Sequence, residues 1–129
     1  MNDQISFYES KLQFEIDSWD LSEAMRSMKK PVVIDARSSE AFDREHIPGA
    51  ICVPHRTMTK ESTARIPPDA AIVVYCDGIG CNGSTKGALN MARLGFNTKE
   101  LLGGLDWWKR DGHPTEGTMD QIKTGACEC

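Results

Sequence analysis

The stretch AIVVYCDGIGCNGSTKGALNMARLG, residues 71–95, decides the fold. Ala71–Tyr75 is a compact run rich in β-branched residues, which is typical of a strand buried on both faces, as in a parallel sheet. A glycine-rich loop follows, and Ser84–Leu94 then has the apolar spacing of a helix that ends at Gly95. This order predicts one unit of an α/β fold, with Cys76 at the carboxyl end of the buried strand.

The rest of the chain alternates in the same way. Short apolar runs predict strands at Phe14–Ile16, Pro31–Asp35, Ala50–Val53, Ala71–Tyr75 and Lys99–Leu102. Helices are predicted after an N-cap at Asp17 or Ser18, at Ser39–Glu45, at Ser84–Leu94 and around Trp107 and Trp108. In the first of these helices we expect the inward side to consist of Trp19, Leu21, Ala24, Met25 and Met28. The prediction is an α/β domain with a central parallel sheet of about five short strands flanked by helices.

Three segments are expected along the chain. Residues 1–13 carry Ile5, Tyr8 and Leu12 at helical spacing, which predicts an N-terminal helical extension lying on the main domain. Residues 14–116 form the α/β domain. Residues 117–129 form a C-terminal tail with Cys127 and Cys129, for which a disordered terminus is favoured over a thiol-bearing redox tail.

Composition and net charge restrict the classes of protein to which this chain can belong. The chain has 129 residues, 40% of them hydrophobic and 26% charged, as expected for one globular domain. With 15 basic and 19 acidic residues, its net charge of −4 argues against nucleic acid as a partner. The acidic opening segment and the lack of a long apolar run predict neither a leader nor a membrane span, so we expect a cytoplasmic protein without a membrane partner.

The loop after Ala71–Tyr75 carries the expected chemistry. Its glycines allow backbone N–H groups to converge at the positive end of the following helix, which would stabilise an anion or a thiolate. Cys76 is therefore the candidate nucleophile. The expected substrate-binding residues are those that follow it, Asp77, Gly78, Ile79, Gly80, Cys81, Asn82, Gly83 and Ser84. The alternative is that Cys76 is a small core residue and the loop is only a turn.

Three separated motifs resemble the rhodanese-like sulfurtransferases, from about Phe14 to Pro114. The first is VVIDARSSEAFDREHIPGAICVP, residues 32–54, with the strand-ending Asp35 and then Arg37. The second is IVVYC, residues 72–76, which is similar to the strand that leads to the family's catalytic cysteine. The third is LGFNTKELLGGLDWWKRDGHP, residues 94–114, with its paired glycines and tryptophan.

The resemblance implies a two-step sulfur transfer. The Cys76 thiolate would take the sulfane sulfur of a small donor such as thiosulfate as a persulfide, and a thiol, protein or cyanide acceptor would then remove it. No cofactor or metal is implied, and His46, His55 and His113 do not complete the spacing of a zinc site. The alternatives are a non-catalytic binding or redox-regulatory module and, less favoured, a cysteine phosphatase or arsenate reductase.

The sequence departs from the family pattern inside the loop. No arginine lies between Asp77 and Lys86, where the family has one, and the loop is about two residues longer. Ser84 could correspond to the family's serine, which would donate a hydrogen bond to the sulfur. Cys81 has three open interpretations: a resolving thiol that forms a disulfide with Cys76, a sulfur acceptor in relay, or a small side chain that fills the loop.

Three further expectations concern residues outside the loop. Asp35 and Arg37 are expected to form an ion pair that shapes the edge of the sheet near Cys76. Because Trp107 and Trp108 are adjacent, only one of them can face the core, and Trp108 is expected to do so. Cys52 is expected to be a core residue.

Overall fold

A computed structural model describes residues 2–118 as alternating strands and helices. In chain order these are α1 (Asn2–Phe14), β1 (Glu15–Ile16), α2 (Ser18–Met25), β2 (Val32–Asp35), α3 (Ser39–Arg44), β3 (Ile51–Cys52), a 3₁₀ turn (His55–Thr57), β4 (Ala71–Tyr75), α4 (Gly83–Arg93), β5 (Asn97–Leu101) and α5 (Gly104–Arg110). The strands form one sheet in the order β1-β5-β4-β2-β3, with every neighbouring pair parallel. The predicted α/β fold with a five-stranded parallel sheet is confirmed.

The two central strands are buried on both faces, as their unbroken apolar sequences predict. Successive side chains of a strand point to opposite faces, so β2 and β4 each contribute to two separate cores. The core that includes α2 and α5 contains Leu21, Val33, Val73, Tyr75, Leu101, Leu105 and Trp108. The core that includes α4 contains Ile34, Val53, Ile66, Ile72, Val74 and Met91.

The register of the sheet brings the loops after β2 and β4 together. Asp35 pairs with Tyr75, and Val74 pairs with Glu100, so β2, β4 and β5 end at the same edge. The Ala36 amide donates to the Tyr75 carbonyl at 2.9 Å, which extends this contact one residue past the strands. Cys76 therefore lies at the carboxyl edge of the sheet, where parallel α/β domains bind ligands.

The N-terminal segment is helical, but its predicted packing is wrong. Ile5, Tyr8 and Leu12 are all exposed, and no residue of α1 is buried. The physical reason is that α1 leads into β1, an edge strand of only two residues, so it has little apolar surface to cover. Phe14, predicted to begin the first strand, is the last residue of α1. The domain boundary at residues 13 and 14 stays a prediction.

The inward side predicted for α2 is correct at Leu21 and wrong at two positions. Leu21 is fully buried, whereas Trp19 is 60% exposed and Met28 is exposed beyond the end of the helix. The short helix, capped by the Asp17 side chain, places Trp19 at the rim, where its ring meets the edge of His113 with 4.5 Å between centroids. Helix geometry explains both positions: Trp19 precedes Leu21 by two residues and therefore lies about 200° away around the helix, and Met28 follows the end of α2, where the helical spacing no longer applies.

The segment after α5 is attached to α3 through residues 114–118. His46 and Glu116 exchange two backbone hydrogen bonds, and the Thr118 amide donates to the Asp43 carbonyl at 2.9 Å. The Trp108 indole N–H donates to the Pro114 carbonyl at 2.8 Å. Most of the predicted tail 117–129, including Cys127 and Cys129, lies outside the described residues.

Trp108→Ala is expected to lower the free energy of unfolding by about 3–5 kcal/mol, because it empties a core site and leaves the Pro114 carbonyl without its indole donor. Trp108 is 2% exposed, whereas Trp107 is 41% exposed and lies under the Arg110 guanidinium. Trp107→Ala is the matched control and should cost about 1 kcal/mol. Urea denaturation of both variants measures the difference, and equal losses would contradict the assignment of Trp108 to the core.

Candidate active site

The loop between β4 and α4 forms the candidate site. Cys76 directly follows β4 and is 1% exposed, and the first two residues of α4, Gly83 and Ser84, are also buried. The amides of Leu105 and Asp106, in the first turn of α5, donate to the carbonyls of Cys76 and Asp77 at 2.9 and 2.8 Å. The start of the loop is thus held by the backbone of a second helix.

A disulfide joins Cys76 to Cys81 across the loop. Their Cα atoms are 6.6 Å apart, within the range that a disulfide spans. The Cys81 amide donates to the Gly78 carbonyl at 3.1 Å, forming the turn that returns the chain toward Cys76. Of the three interpretations of Cys81, the structure shows the contact on which the resolving-thiol interpretation depends, and its chemical role stays a prediction.

The positive end of α4 is close to Cys81. The Gly83 N–H, at the first residue of α4, donates to the Cys81 sulfur at 3.4 Å. Backbone N–H groups at a helix start favour a thiolate over a thiol. This field was expected from the sequence at Cys76, whereas the N–H donated by the first residue of α4 is bonded to Cys81.

A pocket of about 490 Å³ opens beside this loop. Its walls consist of His55, Arg56, Ile79, Gly80, Cys81, Asn82, Thr85, Lys86 and Glu100. Cys81 therefore lines this pocket, whereas Cys76 is 1% exposed and does not line it. Of the expected substrate-binding residues, the pocket brings together Ile79, Gly80, Cys81 and Asn82. The other four, Asp77, Gly78, Gly83 and Ser84, are not part of its walls.

Those four residues make other contacts. Asp77 accepts from Arg37, and Gly78 packs against Asp106 so closely that an added Cβ would lie 3.2 Å from the Asp106 Cβ. The Ser84 hydroxyl, expected to donate to sulfur, donates instead to Glu100 at 2.9 Å. Glu100 also accepts from Thr85 at 2.6 Å, so it ties the start of α4 to β5.

Arg37 connects the ends of β2 and β4. It bonds the fully buried Asp35 carboxylate at 2.7 Å and Asp77, in the loop, at 2.9 Å. Burial lowers the pKa of Arg37, but the hydrogen bond and negative charge of Asp35 outweigh burial and raise the pKa above its ordinary value. The guanidinium also donates to the Glu45 carbonyl at 2.6 Å, which anchors the end of α3. The expected Asp35–Arg37 ion pair is confirmed.

Cys52 is separate from this chemistry. Burial raises the pKa of its thiol to about 11, and the nearby Asp35 carboxylate adds to the effect. Its S–H donates to the Arg37 carbonyl at 3.8 Å. It is half-buried rather than fully buried as a core position would be.

Comparison with known proteins gives the family. Residues 19–111 match the family described as Rhodanese-like domain, and this range contains β2, β4, Cys76 and the pocket residues. The chain belongs to the rhodanese-like domain family. Thiosulfate sulfurtransferase GlpE of Coxiella burnetii is 30% identical over 105 residues, covering 78% of this chain and 87% of GlpE.

Other relatives contain the rhodanese-like region as one part. Adenylyltransferase and sulfurtransferase UBA4 of Candida albicans is 30% identical over 107 residues, which are 77% of this chain but 24% of UBA4. HTH-type transcriptional regulator Rv0324 of Mycobacterium tuberculosis is 32% identical over 92 residues, which are 70% of this chain but 40% of the regulator. The chain thus spans less than half the length of these two relatives.

Among solved structures, the BH2092 protein from Bacillus halodurans is similar with a TM-score of 0.86 and 38% identity. The match covers 92% of this chain and 87% of that one. A full-length protein from Lactobacillus plantarum matches with a TM-score of 0.76 and 28% identity, covering 91% of this chain and 99% of that one. The TM-scores show that both structures share the fold of this chain.

Within residues 2–118, this rhodanese-like chain shows neither a cluster of metal ligands nor a helix that could span a membrane. In that range no group of three or more His, Cys, Asp or Glu side chains is arranged to hold a metal ion. Nor does any helix of the described chain have the length and apolar character needed to cross a membrane.

Four pocket residues were not expected from the sequence: His55, Arg56, Thr85 and Glu100. A signal for three of them exists, because His55 and Arg56 follow β3 and Glu100 lies near the end of β5. Parallel strands end at a common edge, so these ends reach the Cys76 loop. Lys86, at the end of the stretch that lacks an arginine, lines the same pocket.

Arg37→Met is expected to lower the free energy of unfolding by about 3–5 kcal/mol, because it leaves the Asp35 carboxylate buried without its charge partner. The matched control is Arg110→Met, which breaks an exposed ion pair with Asp106 and should cost about 1 kcal/mol or less. Chemical denaturation measures both. A small loss in Arg37→Met would show that Asp35 does not depend on this guanidinium.

Alkylation of Cys52 by iodoacetamide is expected to be slow at neutral pH and to accelerate as the pH approaches 11. The thiolate is the reactive form, and its fraction rises about tenfold per pH unit below the pKa. Site-resolved mass mapping of the denatured, quenched protein measures the rate, with free cysteine as the reference. A Cys52 rate equal to that of free cysteine at pH 8 would contradict the raised pKa.

Proposed function

We propose that this chain is a cytoplasmic sulfurtransferase that carries sulfane sulfur on Cys76 as a persulfide. The observation that supports it is the position of Cys76, at the carboxyl end of β4 and directly before the loop that leads to α4, within the region that matches the rhodanese-like family. A relative of similar length is named as a thiosulfate sulfurtransferase, which supports thiosulfate as a model donor.

The first half-reaction requires Cys76 and Cys81 as free thiols. The Cys76 thiolate attacks the sulfane sulfur of thiosulfate, the sulfur–sulfur bond of the donor breaks, and sulfite leaves with the bonding electron pair. The product is a Cys76 persulfide. In the second half-reaction, an acceptor thiolate attacks the outer sulfur and carries it away, which regenerates the Cys76 thiolate.

The positive charges available to an anionic donor come from Arg56 and Lys86 instead of from an arginine within the loop after Cys76. Arg56 and Lys86 lie on the pocket wall beside Cys81, while the Glu100 carboxylate on the same wall accepts two hydroxyl hydrogen bonds. Lys86 attracts a dianion only as a point charge, and the Arg56 guanidinium comes from another element rather than from within the loop that carries Cys76. We therefore expect slower turnover of thiosulfate than a loop arginine would support.

The loop from Asp77 to Ser84 is proposed to bind the donor through its backbone. No cofactor or metal enters this chemistry, because every bond made or broken joins two sulfur atoms and cysteine supplies the nucleophile. The proposed acceptor is a thiol, either a small molecule or a protein, with no role for nucleic acid or a membrane.

A second candidate function is a redox-regulatory module without turnover. The Cys76–Cys81 disulfide favours it, since a disulfide removes the nucleophile and leaves Cys76 buried. The two functions differ in one observable, the transfer of a sulfur atom to the reduced protein.

Cys76→Ser is expected to reduce sulfur transfer by about 10³-fold or more, because a serine hydroxyl does not form the required anion at neutral pH. The reduced protein is incubated with thiosulfate, and intact mass detects the gain of one sulfur atom. Cyanide-dependent formation of thiocyanate measures turnover.

Cys52→Ser is the matched control, since it changes a half-buried cysteine outside the pocket and should retain sulfur transfer. Wild-type protein that gains no sulfur from thiosulfate or from a polysulfide would contradict the enzyme and favour the regulatory module. Retained transfer in Cys76→Ser would assign the nucleophile to Cys81.

A further inference from the structure

We propose that Cys81 releases the sulfur held on Cys76 as hydrosulfide, so that the protein acts as a persulfide reductase driven by small thiols. This inference rests on the proposed function and adds to it a second reaction at the same site. Three observations carry it: the disulfide between Cys76 and Cys81, the Gly83 N–H on the Cys81 sulfur, and the pocket that reaches Cys81.

The release of sulfur depends on the contact between the Cys76 and Cys81 sulfur atoms. The Cys81 thiolate attacks the Cys76 sulfur of the persulfide, a bond forms between the two cysteine sulfurs, and the bond to the outer sulfur breaks. The proton that the Cys81 thiol loses on becoming a thiolate goes to the outer sulfur, which leaves as hydrosulfide with the electron pair, so the outer sulfur is reduced and the two cysteines are oxidised to the disulfide. The product of this step is the Cys76–Cys81 disulfide that the structure contains.

The environment of Cys81 suits an attacking thiolate. The Gly83 N–H donates to its sulfur from the first residue of α4, and the cations Arg56 and Lys86 are on the adjacent pocket wall. Both the helix end and the cations favour the negative charge of a thiolate. Cys76 sits only five residues earlier, on the rigid end of β4, so the attack requires movement of the loop alone.

The disulfide must be reopened before another cycle. A small thiol that enters the 490 Å³ pocket meets the Cys81 sulfur, because Cys81 lines the pocket, whereas Cys76 is 1% exposed and does not line it. Its thiolate attacks Cys81, the bond between the cysteines breaks, and Cys76 leaves as a thiolate. A second small thiol then attacks the mixed disulfide on Cys81, which yields a small-molecule disulfide and the free Cys81 thiol.

The decisive experiment is a single turnover without added thiol. Wild type and Cys81→Ala, both with Cys127 and Cys129 replaced by Ser, are reduced, freed of reductant and mixed with thiosulfate. Wild type should release sulfite and hydrosulfide in equal amounts and end as the Cys76–Cys81 disulfide by peptide mapping. Cys81→Ala should release sulfite, keep one extra sulfur on Cys76, and release hydrosulfide at least about tenfold more slowly.

Cys52→Ala is the matched control and should behave as wild type, because Cys52 lies outside the pocket. A wild-type persulfide as long-lived as that of Cys81→Ala, or equal hydrosulfide from both, overturns the release step while leaving the sulfurtransferase intact. Absence of sulfite and of added sulfur in both proteins, with thiosulfate and with polysulfide, overturns the proposed function and this inference together.

A second measurement tests the route of reduction. Oxidised wild type is mixed with limiting glutathione, quenched in acid and mapped for the mixed disulfide. Glutathione attached to Cys81 supports entry through the pocket. Glutathione attached to Cys76, or an oxidised protein that glutathione does not reduce, overturns the proposed cycle.

Discussion

The buried contact between Arg37 and Asp35 is the constraint on which the site depends. Asp35 ends β2 with no exposure to solvent, and an unpaired carboxylate there would be strongly destabilising. Arg37 donates to that carboxylate from Nε and Nη2, while Nη1 donates to Asp77 and Nη2 also donates to the Glu45 carbonyl just after α3. The Arg37 guanidinium thereby holds the side chain of Asp77, the residue after Cys76. The backbone carbonyls of Cys76 and Asp77 are held in turn by two amides in the first turn of α5.

The fold was predictable because its signals are local. The apolar runs around Val33 and Val73 have no polar face, which only a strand covered on both sides explains. Strand direction then places Cys76 at the carboxyl edge without any knowledge of the loop. The Asp35–Arg37 ion pair could also be predicted from the sequence, because residues two apart at the end of a strand bring their charges to the same edge of the sheet.

The predictions that failed concern one helical position and contacts between distant residues. Trp19 was placed on the inward side of α2 as an aromatic residue, but it precedes Leu21 by two residues and so lies on nearly the opposite side of the helix. The pocket is assembled from the 3₁₀ turn His55–Thr57, the loop after β4, α4 and β5, and the contribution of Arg56 and Glu100 requires the strand order. Ser84 was assigned to the sulfur because its partner Glu100, sixteen residues away, carries no local signal.

In the proposed mechanism, the two cysteines of the loop divide the nucleophilic chemistry between a buried and an accessible position. Cys76 follows β4 and is shielded from solvent, which would protect a persulfide from uncontrolled thiols. Cys81 lines the pocket and accepts the first N–H of α4 at its sulfur. Because the loop contains no arginine, the cations that the proposed mechanism offers to the donor are Arg56 and Lys86, which line the pocket together with Cys81. The charges that attract an anion are thus placed where an external thiolate would also arrive.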